Sequence, residues 1–194
     1  MHSWLKIKKM KILLASNSPR RKELLTNLGY DFEVVSIDCD EIYPANLKVE
    51  NIAEFLSELK SNSFRTLEND EVLITADTIV AIDNEVLGKP KDEEHAKIML
   101  QKLSGKTHQV YTGITIRTPE KSISKTDVAL VEIDKLSENE IDFYLKNYKP
   151  FDKAGSYGIQ EWFGMAKIRK MEGSYYTIMG LPTHLVYSIL KDLE

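Results

Sequence analysis

The stretch EVLITADTIVAI, residues 71–82, constrains the fold of this chain more than any other. Aliphatic and β-branched residues dominate it, and polar residues bound it on both sides, so it reads as a buried strand. Asp77 interrupts that run. A carboxylate inside an apolar strand must be paired, protonated or bound to metal, because burying it alone is costly. A structural salt bridge meets that requirement, and so does a metal ligand or a general base. The strand by itself leaves these readings open.

The other segments supply a sheet and helices around this strand. KILLA (11–15) is a short buried strand that feeds a helix beginning at Ser18 and Pro19, with Leu24, Leu25 and Leu28 at helical spacing and Gly29 as a stop. DFEVVSID (31–38) alternates as a second strand, and Ile52, Phe55, Leu56, Leu59 and Phe64 mark an amphipathic helix from Val49 to about Leu67. The DN pair at 83–84 before EVLG predicts a hairpin. Asp92 caps a helix lined by Met99, Leu100 and Leu103 and ended by Gly105. HQVYTGITIR and DVALVEID are two strands joined through TPEKS, and Ser137 with Glu140 forms a capping box for a helix over 138–148. Residues 151–164 read as a glycine-rich loop, AKIRKM and SYYTIM as strands, and 183–193 as a closing helix. Helices and strands interleave, but the hairpins break pure βαβ order. The expected fold is α/β, a mixed twisted sheet with flanking helices. GxGxxG and GxxxxGK[ST] are both absent, so neither standard phosphate loop is present.

Composition narrows the function classes. With 194 residues, 42% hydrophobic and 29% charged, the chain reads as soluble and globular, enough for one large domain or two small lobes, with residues 1–9 expected to form an N-terminal extension. A net charge of −4 argues against a sequence-blind binder of nucleic-acid polymers, and any anion site must be built from a few local cations. The single cysteine, Cys39, allows no internal disulfide and fits a reducing, cytoplasmic setting. No apolar run reaches the length of a membrane span, and the basic start lacks the apolar stretch of a signal peptide.

The candidate chemistry is distributed. Arg20, Arg21 and Lys22 stand in the first turn of the helix after Ser18, where the dipole disfavours cations. They are either solvated charges, tolerated at a few tenths of a kcal/mol, or part of a polyphosphate clamp built on free helix N–H groups, with Ser16 and Ser18 adding hydroxyls. Glu41, in DCDEIYP, is a second candidate carboxylate in a loop that otherwise reads as an acidic surface turn. Lys60 sits beside the apolar stripe of its helix, where snorkelling explains it equally well. Lys89 lies in the turn LGKP. In DKAGSYGIQ two glycines allow close backbone approach, and Gln160 offers both a donor and an acceptor. The histidines are scattered without metal-ligand spacing, with His95 expected on a helix surface and His108 at a strand edge.

Taken together, LLASNSPRRKELL, ADTIV, GKPKDEEHAKIMLQKLSGKTHQVYTGI, DKAGSYGIQ and GSYYTIMGLP resemble the Maf family of nucleotide pyrophosphatases, in the family's order along nearly the whole chain. The resemblance implies a fold related to the inosine-triphosphate pyrophosphatases, two α/β lobes with a central cleft. It implies hydrolysis of a nucleoside triphosphate to monophosphate and pyrophosphate, assisted by a divalent cation (Mg2+, Mn2+ or Co2+), in a homodimer. It makes Asp77 the catalytic acidic residue, acting as base and as a metal ligand, with Glu41 as the other acidic position. Ser16, Arg21, Lys60 and Lys89 match phosphate-handling positions. Arg20, Thr78 and Gln160 match the specificity positions of the branch acting on dTTP and UTP. One departure is Glu161, where the family usually has glycine. Other readings of the resemblance are the same chemistry on 7-methyl-GTP or another modified nucleotide, or a nucleotide-binding regulator of septum formation.

Overall fold

The structure, a computed structural model, describes residues 10–193, so the expected extension over residues 1–9 lies outside the described residues. Seven strands form one sheet: β1 (Lys11–Leu14), β2 (Phe32–Val34), β3 (Glu71–Ile82), β4 (Glu85–Leu87), β5 (Thr107–Arg117), β6 (Ser122–Ile133) and β7 (Ile168–Glu172). Their spatial order is β2-β1-β3-β5-β6-β7, with β4 folded back on β3. β2, β1 and β3 run parallel, and all other pairings are antiparallel. The helices are α1 (Pro19–Asn27), α2 (Val49–Ser63), α3 (Glu93–Leu103), α4 (Glu138–Tyr148), α5 (Trp162–Lys167), α6 (Tyr175–Met179) and α7 (Thr183–Lys191). The mixed α/β architecture is the one expected.

The pleat of β3 assigns its side chains to two environments. Ile79 packs with Ile52, Ala53 and Leu56 of α2 on one face. Ile74, Ala76, Val80 and Ile82 enter the main core on the other, with Leu100 of α3, Tyr144 of α4 and Ile189 of α7. Gly113 of β5 lets α2 settle onto the sheet, because a Cβ there would collide with the Ala53–Glu54 peptide. Hydroxyls seal the same contact: Thr75 donates to Ser57 O at 2.7 Å, and the Ser57 and Thr115 hydroxyls lie 2.8 Å apart.

Several expected boundaries move, for local reasons. The second strand shortens to Phe32–Val34, the stretch that finds a partner in β1. α2 stops at Ser63 rather than near Leu67. Arg65 turns back to the fully buried Glu71, 2.6 and 2.8 Å from its two oxygens, and the Glu68 N–H adds a third bond at 3.0 Å. Asp83 and Asn84, at φ of 51° and 62°, make the expected hairpin turn.

The predicted strand over SYYTIM is a correction, since Tyr175–Met179 is helical. Its aromatic and β-branched residues favour strands. Gly180, at φ 104°, closes the turn as a left-handed cap, and Thr177 points inward and donates to Asp127. AKIRKM divides, its first two residues ending α5 and the rest entering β7. His108 is also corrected: it is fully buried in β5, not at an edge, with Nε2 2.8 Å from the Tyr157 hydroxyl.

Candidate active site

β1 pairs with β3 only as far as Leu14 and Ile74, and β4 joins β3 only from Val80. The chain leaves β1 for Ser16 and the start of α1, so residues 75–79 of β3 have no strand on that side. A cleft of about 660 Å3 opens there. It lies beyond the carboxyl ends of the parallel strands, where open α/β sheets commonly place their ligands. One wall is α2 with the irregular segment carrying Glu41. The other is the first turn of α1 with the segment 152–160.

On the α2 side, Asp77 is buried and forms an ion pair with Lys60. The same ammonium lies 3.1 Å from Glu41 Oε1. Lys60 stands about two helical turns beyond Ala53, the residue that Gly113 admits to the sheet, so the close seating of α2 brings its amine to the strand. Two carboxylates thus converge on one cation. Among the described residues no cluster of three metal-ligating side chains exists. A pair of carboxylates open to a cleft nevertheless suits Mg2+ or a similar hard ion, which commonly takes one or two carboxylates and completes its shell with water and phosphate oxygens.

On the opposite face, Arg21 is fixed on three sides. Its Nε donates to Gly180 O at 2.7 Å, Nη2 to Thr78 Oγ1 at 3.2 Å, and Nη1 to Ser16 Oγ at 3.5 Å. Desolvation lowers its pKa, and the Asp77 charge opposes that shift. Ser18 caps α1 by accepting from the Arg21 N–H at 3.5 Å, and Ser16 Oγ accepts from the Ser18 N–H at 3.2 Å. The arginines therefore do not fan into solvent. One is built into the cleft wall, and the other, Arg20, reaches across to Asp152 at 3.1 Å.

The structure brings all the sequence-selected residues to this cleft: Ser16, Arg20, Arg21, Glu41, Lys60, Asp77, Thr78, Lys89 and Gln160 line it. Lys89 is exposed and, among the described residues, has no ion-pair partner. Gln160 is likewise exposed at the cleft.

Sequence reasoning missed Lys153. It is 8% exposed and also lines the cleft, held between Asp152 at 2.7 Å and Glu161 at 3.1 Å. A lysine beside Asp152 and before the small residues Ala154, Gly155 and Ser156 was the available signal. Burial pushes the Asp152 carboxyl up, and hydrogen bonds from Lys153 and Arg20 more than reverse the shift. Glu161 turns inward beneath the loop, where it also accepts from the Tyr144 hydroxyl, which in turn accepts from the Gly158 N–H at 2.9 Å. Its role is to anchor the loop that displays Gln160.

Known proteins of matching sequence carry the same assignment. The chain is 48% identical over 190 residues to a dTTP/UTP pyrophosphatase of Porphyromonas gingivalis, with 96% of each chain covered. It is 50% identical to one of Phocaeicola vulgatus, covering 96% of this chain and 98% of that protein, and 48% identical to one of Flavobacterium johnsoniae, covering 97% of each. Among solved structures, the Staphylococcus aureus Ham1 protein overlays with a TM-score of 0.47 and 17% identity, covering 63% of this chain and 71% of that one. The family model described as Maf-like protein matches residues 11–193. With that match over almost its whole length, the chain belongs to the Maf family.

Proposed function

We propose that this protein is a nucleoside triphosphate pyrophosphatase that hydrolyses dTTP and UTP to the monophosphate and pyrophosphate. The observation that carries the reading is a near-full-length identity of about half to relatives of that name, joined to a cleft that collects buried carboxylate and cations where the middle of β3 is left uncovered on its β1 side. Water attacks the α-phosphorus, its oxygen bonds there, and the bond to the bridging oxygen of the β-phosphate breaks. Asp77 accepts the proton of the attacking water. Arg21, Lys60, Lys89 and Ser16 hold the phosphate chain and stabilise charge gathering on the leaving pyrophosphate. Asp77 and Glu41 are the residues that would hold a divalent cation, which when bound polarises phosphoryl oxygens. Gln160, with Arg20 and Thr78, reads the base: a neutral amide matches the alternating acceptor and donor of a uracil or thymine edge.

The reading extends to context. The chain acts as a single Maf-type domain and a homodimer in the cytoplasm, on free nucleotides. Among the described residues no helix is long and apolar enough to cross a membrane. The decisive experiment is pyrophosphate release from each common nucleoside triphosphate and from 7-methyl-GTP at one metal concentration. Highest kcat/KM for dTTP and UTP is the expected result. A clear preference for a purine or 7-methyl-GTP overturns the substrate, and binding without release overturns the enzyme.

A further inference from the structure

Thr112 belongs to none of the roles above, yet it stands behind two of them. It lies on β5 directly opposite Thr78 of β3 and Asp127 of β6, and it is fully buried. Its hydroxyl is 2.7 Å from Thr177 O of α6. A carbonyl only accepts, so the single Thr112 proton is committed there. The 2.9 Å contact between the Thr78 and Thr112 hydroxyls then has one sense, with Thr78 donating. The Thr78 proton is thereby turned away from the cleft, and its lone pairs remain for Arg21 Nη2, 3.2 Å away. Donation runs one way, from Arg21 through Thr78 and Thr112 to Thr177 O. The end of the same helix takes Arg21 directly, through Gly180 O at 2.7 Å. α6 thus grips the guanidinium twice, once in person and once through two hydroxyls.

We propose that Thr112 is a positioning residue of the active site: by accepting the Thr78 proton it makes Thr78 an acceptor toward the cleft and holds Arg21 in place for the phosphate chain. This rests on the reading of Arg21 as a phosphate-binding group. It also gives Thr78 a definite chemistry. Thr78 cannot donate to a phosphate or carbonyl oxygen, so it acts on substrate through Arg21 and through a donor on the ligand.

The test compares Thr112→Val, which removes the hydroxyl at similar volume, with Thr112→Ser, which keeps it. Thr112→Ala against Thr112→Ser makes the same comparison with the methyl absent from both, and serves if the valine variant does not fold. Two readouts are taken: kcat/KM for dTTP, and calorimetric affinity for inorganic tripolyphosphate, which has no base and requires no turnover. Loss of the hydroxyl is expected to weaken both about tenfold, while serine stays within about twofold of wild type. In an Arg21→Ala background, Thr112→Val should add no further loss. Equal behaviour of the serine and the hydroxyl-free variants overturns the proposal, as does an undiminished effect of Thr112→Val without Arg21. If the wild type does not turn over dTTP, the functional reading fails, and the tripolyphosphate arm still decides the role of Thr112.

Discussion

Asp77 and Thr78 are neighbours in the chain and lie on opposite faces of the sheet, Asp77 against Lys60 of α2 and Thr78 against Arg21 of α1. Both reach one cleft because β3 is uncovered at that point on its β1 side. The strand therefore carries the proposed base to one wall and the arginine anchor to the other.

Asp77→Asn should lower kcat by about 100- to 10,000-fold, the range expected for loss of a general base. The amide keeps the shape but neither takes a proton readily nor matches a carboxylate as a hard-metal ligand. Asp77 is paired with Lys60, so the substitution also removes half of a buried ion pair, leaving Glu41 as that cation's partner. A stability loss of about 1–2 kcal/mol should accompany it. Steady-state kinetics and thermal melts on purified protein check both, and near-normal kcat would remove Asp77 from catalysis.

Arg21→Ala and Lys89→Ala should each cost on the order of 2–4 kcal/mol in transition-state stabilisation, read from kcat/KM. Their melting behaviour should differ. Arg21 ties α1 to β3 and to the end of α6, so its loss lowers Tm. Lys89 is exposed and free of ion pairs among the described residues, so its loss should change stability by less than about 0.5 kcal/mol. Activity within about twofold of wild type for both would return them to solvated surface charges.

Gln160→Glu should reduce the preference for dTTP over 7-methyl-GTP by at least about tenfold, because a carboxylate presents no donor to a pyrimidine carbonyl. Glu161 does not confuse the comparison, since its carboxylate is engaged beneath the loop by Lys153 and Tyr144. An unchanged substrate ranking would show that Gln160 does not read the base.

His108 sets a pH limit on the fold. Burial lowers its pKa from 6.5 to about 4. Burial also pushes the Tyr157 phenol up, and its hydroxyl lies 2.8 Å from Nε2 in the same dry environment. The native state therefore favours the neutral ring. Stability from this group is fully present above pH 6.5, drains as pH falls toward 4, and is lost below, a change of about 3 kcal/mol. Chemical denaturation across this range, on wild type and His108→Asn, checks it: the variant should lack that part of the slope.

Legibility from sequence followed the locality of the signal. Caps at Ser18, Asp92 and Ser137 form hydrogen bonds to their own turns, so the helix starts were readable from short motifs. Asp77 was conspicuous because its charge contradicts its surroundings. Tertiary partners were not readable. Nothing adjacent to SYYTIM announces that Thr177 will meet Asp127 on β6, yet that bond belongs to the environment in which the segment becomes α6. His108 looked like an edge residue because its partner, Tyr157, is far along the chain. Lys153 is the same case, its burial set by where α4 and Glu161 place the loop.

The bridge from Arg20 to Asp152 has an evolutionary consequence. In the proposed reading, two of the three base-reading residues, Arg20 and Gln160, belong to the first turn of α1 and to the loop that Asp152 opens, two segments joined by one solvent-accessible ion pair, while the third, Thr78, stays on β3. Neither segment fixes the register of β3, which is set by its pairing with β1 and β5. New nucleotide preferences can therefore arise by paired exchanges at those two segments while the hydrolytic strand stays where it is. Swapping both together between relatives of different substrate preference should preserve turnover, whereas swapping one leaves a mismatched half-bridge.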